Sequence, residues 1–158
     1  MKKTTVYARK RAHSARRADP HSVYRVLNRT EPLREEERTQ LLVPVRLSFE
    51  KMRSGTGTEH DFDTLAATVN LCMVVAETVN DDMLHFTQQA QDALMAMHAR
   101  HKRTGRWGLD HASLETLPAV IDVYQQLLEL CAPAQLKRAW IEVIDRVNTK
   151  NTLPESWK

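Results

Sequence analysis

Residues 1–18 hold the side chains whose type and spacing are best suited to binding a ligand, which here would be phosphate. Seven of the chain's 23 Lys and Arg residues lie in these 18 positions, and none of its 20 acidic residues does. The cations are Lys2, Lys3, Arg9, Lys10, Arg11, Arg16 and Arg17, and they surround Tyr7. Cations that neutralise a nucleic-acid backbone release condensed counterions, which favours binding without a folded site, and an aromatic ring can stack on a base. A solubilising tail, or one that contacts an acidic protein, is the alternative interpretation.

A second group of cations is expected near the end of a predicted helix that runs to about Arg103. The helix dipole by itself favours positive charge in a last turn, and contact with phosphate or an acidic partner is the functional alternative. His98 and His101 lie three residues apart, but neither cysteine lies near them in sequence, so we predict no metal site. The candidate binding residues of this group are Arg100, Lys102, Arg103, Arg106 and Trp107.

Residues 59–95 have the opposite character, with seven acidic residues and no Lys or Arg. Asp63, Asn70 and Glu77 are seven residues apart and therefore share one stripe of a helix, and Asp81 and Asp82 follow. Polar side chains beside the apolar face of a helix are usually exposed to solvent at its edge, or are buried with their hydrogen bonds satisfied. The functional alternative is an acidic face that binds a partner protein, or that receives the basic residues 1–18 of a neighbouring molecule or of the same chain.

Enzymatic motifs are missing from the sequence. It contains no phosphate-binding glycine loop, no nucleophile elbow and no HExxH. We therefore predict a protein that is not an enzyme, with no catalytic residue and no cofactor.

The stretch His60–Asn80 is the element around which the fold is expected to form. Its apolar residues recur every three or four positions, and further apolar residues fill the far side, so this helix must be buried among neighbours. Thr58 with Asp61 three positions on predicts its start. Further helices are predicted around 23–27, over 33–53 with a kink or break near 42–43 caused by Pro44, over 83–103 ending at Gly105, from His111 to about Cys131, and from Pro133.

These patterns predict an all-α fold, with no period-two strands. We expect a basic arm over residues 1–18 and one helical domain over 19–158, a single compact helical bundle of about six helices. The two cysteines are expected to be buried thiols in a reducing compartment. No apolar run is long enough to cross a bilayer, so we expect a cytoplasmic protein of a bacterial host that does not associate with membranes.

Two segments resemble a group of uncharacterised small helical proteins encoded by phages, prophages and plasmids of proteobacteria. One is the sequence DFDTL at 61–65 with Asn70 and Glu77 after it, and the other is RTGRW at 103–107. The similarity covers most of residues 1–148. It implies an origin on a mobile element and transfers no catalytic or binding residue.

The sequence thus predicts a non-enzymatic accessory or regulatory protein that binds nucleic acid or a nucleoprotein complex through its basic arm. One alternative is an inhibitor of a host defence complex that acts through the acidic helical face. The other is a structural or assembly module, and an oligomer is compatible with each of the three.

Overall fold

The computed structural model describes residues 31–79 and 81–149, and the regular structure in them is entirely α-helical. The predicted all-α bundle is therefore confirmed for this part of the chain. Five helices were found there, whereas about six were expected; the predicted basic arm and the short helix around 23–27 lie outside the described residues. The helices are α1 (Glu35–Arg53), α2 (Glu59–Ala76), α3 (Asp81–Thr104), α4 (His111–Leu130) and α5 (Pro133–Asn148).

Helix α2 lies at the centre of the bundle, as its sequence predicts. The helices α1, α2, α3 and α4 each pack against the next and close into a four-helix arrangement, and α2 also contacts α4 across it. Helix α5 packs mainly on α2. Apolar side chains are buried on more than one side of α2, among them Phe62, Leu65, Leu71, Cys72 and Val74. A helix contacted by four neighbours needs this distribution.

The start of α2 and the end of α3 follow the predicted signals, whereas α2 ends at Ala76, before the expected Asn80. Thr58 and Asp61 form a reciprocal capping box at the start of α2, so two backbone N–H groups that lack helical partners are satisfied. Gly105 ends α3 with φ 70°, and its N–H donates to the carbonyl of His101 at 2.7 Å. A residue with a Cβ is strained at this φ, which accounts for glycine there.

Of the kink or break expected near 42–43 in α1, the break does not occur, because the helix continues through Pro44 without interruption. Proline lacks the N–H that would bond to the carbonyl of Gln40. Pro44 and Gln40 are both exposed, so water can hydrate that carbonyl. Helix α4 contains Pro118 in the same way and is continuous from His111.

No helix in the described part of the chain combines the length and the apolar character that crossing a membrane requires.

Candidate binding surfaces

The predicted arm residues, from Lys2 to Arg17, lie outside the described residues, so the geometry available for a binding site is that of the second cationic group and the acidic stripe. The structure separates the second group into two parts. Lys102, Arg103 and Arg106 are exposed where α3 ends and the chain turns at Gly105, and we call these three the α3 cationic end. Arg100 and Trp107 make internal contacts instead.

Arg100 is engaged by the start of the next helix. Its guanidinium donates to Oδ2 of Asp110 at 3.1 and 3.2 Å, while Oδ1 of Asp110 accepts from the backbone N–H of Ser113 at 2.9 Å and from its hydroxyl at 2.7 Å. Burial raises the pKa of Asp110, but the hydrogen bonds from Ser113 and the charge of Arg100 outweigh it, and the net pKa is lowered. One carboxylate therefore both caps α4 and holds the end of α3.

Trp107 belongs to a stack of four aromatic rings, in the order His101, Trp107, Phe62 and His98. Its ring lies 4.9 Å from that of Phe62 and 3.8 Å from that of His101, measured between centroids, and the His101 ring is nearly parallel to it. His98 stacks on Phe62 at 5.4 Å. The indole therefore fixes the link of residues 105–110 to α2 and α3, and its faces are already in contact with protein rings.

The imidazole of His98 is placed unfavourably for carrying charge. Burial lowers the pKa of His98, and the neighbouring Lys102 and His101 lower it further, against the opposing effect of Glu59 and Asp63. Nδ1 of His101 is buried with no hydrogen-bond partner among the described residues. Charge on the imidazole of His98 is accordingly unfavourable in the folded protein.

The predicted acidic stripe is not one accessible surface. Asn70 is buried, and its Oδ1 accepts from Nε2 of Gln91 at 3.2 Å. Glu77 receives two hydrogen bonds from Arg146 at 2.6 and 2.7 Å, which lower the pKa of this carboxyl. Asp63 remains exposed. Thus the stripe joins α2 to α3 and α5 at two of its three positions.

Asp81 and Asp82 are exposed in the first turn of α3. Their negative charge is favourable at a helix N-terminus, and their side chains make no hydrogen bond or ion pair with another described residue. Glu59 and Asp92 are exposed as well. The exposed acids of segment 59–95 are therefore Glu59, Asp63, Asp81, Asp82 and Asp92, together with Glu77, which pairs with Arg146.

Asp61 is a buried charge whose full role the sequence did not indicate. The residue is only 2% exposed. Its carboxylate accepts from the backbone N–H and the hydroxyl of Thr58 at 2.9 and 2.7 Å, from the hydroxyl of Ser48 at 3.1 Å, and from Nζ of Lys51 at 3.2 Å. Burial raises its pKa, but these hydrogen bonds outweigh it and the net pKa is lowered. The capping pattern predicted the contacts with Thr58, whereas the contacts to α1 depend on how the helices pack.

Within the described residues, no three His, Cys, Asp or Glu side chains converge into a group that could hold a metal ion. Comparison with protein-family models, with curated proteins and with solved structures gives no match for this chain. A function must therefore be argued from the charges and contacts above.

Proposed function

We propose that this protein is a non-enzymatic accessory or regulatory protein of a phage or other mobile element, and that it binds nucleic acid or a nucleoprotein complex. Residues 2–17 supply the main phosphate contacts, and the α3 cationic end supplies a second, smaller set. The mobile-element origin rests on the sequence resemblance alone.

The observation that carries this proposal is the division of charge along the chain. Seven cations without an acid occupy residues 1–18, which leaves 16 basic and 20 acidic residues for positions 19–158. A net positive charge spread over the whole surface would give only weak attraction to any polyanion. Seven cations within 18 residues can instead lie along one phosphate backbone, where each contact releases counterions.

The folded body suggests which residues of the second group take part. Lys102, Arg103 and Arg106 are exposed at one end of α3, so a bound phosphate can reach them. Arg100 pairs with Asp110, and Trp107 is stacked between protein rings. We therefore assign Arg100 and Trp107 to holding the 105–110 link in place, and we expect the three exposed cations to contact the ligand.

The first experiment is a salt titration of binding. Fluorescence anisotropy with labelled single-stranded DNA, duplex DNA and RNA should show affinity that falls linearly on a log–log plot against salt. If most of the seven arm cations contact phosphates, the slope should approach about −5 for duplex DNA. Absence of binding to all three at low salt would exclude the proposal.

Three matched variants, each with three cations changed to Gln, locate the contacts. The arm variant changes Arg9, Lys10 and Arg11, the body variant changes the α3 cationic end, and the control changes Arg34, Arg38 and Arg138 elsewhere on the body. We expect the slope to fall by about two to three for the arm variant and by less for the body variant, with the control nearly unchanged. An equal decrease in slope for all three variants would indicate that nucleic acid is attracted to the overall charge of the protein, and would contradict binding through the arm.

The acidic face provides a second candidate function, inhibition of a host complex. Six acidic side chains of segment 59–95 are exposed, and Glu77 is the one of them that pairs with Arg146. Exposed carboxylates can occupy a site that normally takes phosphates. Changing Asp81 and Asp82 to Asn should abolish such inhibition and leave binding of nucleic acid intact. The arm variant should have the opposite effect, so the two candidates are separable.

A further inference from the structure

The outward-facing side of α1 carries an exposed apolar patch, and the helix packing among the described residues leaves it uncovered. Val43 is 45% exposed and Leu47 is 55% exposed, and they lie one helical turn apart. Pro44 beside them is exposed too. The opposite side of α1 is the one that packs into the bundle, through Val45 and Met52. We call the exposed side, formed by Glu36, Gln40, Val43, Leu47 and Glu50, the α1 outer stripe.

The charges of α1 are distributed so that the helix complements itself in the antiparallel direction. Its first turn contains Glu35, Glu36 and Glu37, and its last turn contains Lys51 and Arg53. The helix dipole favours this order of charges within one chain. It gives no reason, however, for two exposed apolar side chains midway between the acidic and the basic end.

The exposed apolar side chains and the opposite charges at the two ends of α1 are both accounted for if α1 packs against α1 of a second copy. A two-fold axis through the middle of α1 places Val43 of one chain against Leu47 of the other, twice. Glu35 lies about 15 Å from this midpoint and Arg53 about 12 Å on the other side, so each acidic end meets a basic end. Arg53 now pairs with the exposed Glu50 three residues away, a surface contact that is easily exchanged.

We propose that the α1 outer stripe is a self-association surface, through which two copies of this chain pair by antiparallel α1–α1 packing. A closed two-fold contact of this kind is the commonest symmetry among soluble oligomers. One helix pair gives an interface at the small end of the known range, so we expect a dissociation constant on the order of 10–100 µM. The pair carries two basic arms, and a nucleic acid bound by both would be held more tightly than by one. The pairing itself does not depend on the proposed function.

Sedimentation velocity on the full chain tests the pairing without nucleic acid. Across about 5 to 500 µM protein, the weight-average mass should rise from that of a monomer toward that of a dimer. Leu47→Glu places like charges at the centre of the interface and should weaken association at least about tenfold. Leu130→Glu is the matched control, because Leu130 is 81% exposed at the end of α4, outside the stripe, and it should leave association unchanged.

A charge exchange tests the antiparallel geometry. Glu35→Lys and Arg53→Glu should each weaken the dimer, since each creates two like-charge contacts across the two-fold axis. The double variant should recover most of the wild-type affinity, because the opposite charges meet again with their positions exchanged. Circular dichroism of each variant is the check that it is folded.

Three results would overturn the proposal. One is a monomer at every concentration, which would mean that the stripe is covered within one chain or stays in water. Another is a dimer that Leu47→Glu leaves intact while Leu130→Glu disrupts it. The third is a double charge variant no better than the single ones, which would exclude the antiparallel arrangement.

Discussion

Replacement of Asp61 by Ala should destabilise the protein by about 3 kcal/mol. The carboxylate accepts two hydrogen bonds from Thr58 and one each from Ser48 and Lys51 while being 2% exposed. Loss of a helix cap costs about 1 kcal/mol, and a buried hydroxyl left without its charged acceptor costs about 1–3 kcal/mol. Lys51 adds little to this loss, because its side chain is half exposed and water can solvate it.

Urea denaturation followed by circular dichroism measures this difference, with Asp63→Ala as the control. Asp63 lies on the same helix but is exposed, so its removal should change the free energy of unfolding by less than about 0.5 kcal/mol. The loss of unfolding free energy for Asp61→Asn should lie between those for Asp61→Ala and Asp63→Ala, because the amide keeps one acceptor oxygen and loses the other. If Asp61→Ala and Asp63→Ala cost the same, the hydrogen bonds around Asp61 do not hold α1 to α2.

The pH dependence of this difference is a second check on the same residue. The pKa of Asp61 is lowered in the folded state from its usual 3.8, so its charged form contributes stability above pH 3.8. That contribution is lost as the pH falls below 3.8 and through the folded-state pKa. The stability difference between wild type and Asp61→Ala should therefore be constant from about pH 5 to 8 and shrink only below about pH 4. A difference that shrinks near neutral pH would implicate another group.

Three further predictions concern the ring stack and the thiols. Trp107→Ala should cost about 2–3 kcal/mol in urea denaturation and Trp107→Phe about 1 kcal/mol, because Phe keeps a ring between Phe62 and His101; equal costs would argue against the stack. The pKa of His98 is lowered from 6.5, so wild-type stability should decline as the pH falls below about 6.5, and a His98→Gln variant that declines equally would exclude His98 as the cause. Burial raises the pKa of Cys72 to about 12, so a thiol reagent should modify it only under unfolding conditions, and rapid modification of both cysteines in the native protein would contradict its burial.

The sequence was sufficient to predict elements whose signals are local. The apolar residues around α2 required a central, buried helix, and Thr58 with Asp61 marked its start because both capping partners lie within one turn. Gly105 likewise marked the end of α3. Whether Pro44 would break α1 could not be predicted, because the effect of a proline depends on whether water can reach the carbonyl four residues before it, and exposure is a property of the packed bundle.

The contacts that decide the roles of the candidate site residues join distant parts of the sequence, and they could not be predicted. Charge and spacing placed Arg100 with its cationic neighbours, yet its partner Asp110 follows a turn and belongs to the start of another helix. Glu77 was grouped with acids on α2, whereas its ion pair with Arg146 spans 69 residues of sequence. Patterns within one helix indicate which side chains share a face, but not which face a neighbouring helix covers.

The α3 cationic end has a structural and a binding explanation, and these make different demands on it. Positive charge in a last turn stabilises a helix by roughly 0.3–1 kcal/mol, a role that any cation fills and that requires no fixed orientation. The carbonyls at the same helix end carry partial negative charge, which opposes an approaching phosphate. If these cations served only to interact with the helix dipole, the link of residues 105–110 would not need to be fixed by an ion pair and a ring stack. Here Asp110 and Trp107 fix the link that carries Arg106, so this cation is held in position beyond the last turn of the helix.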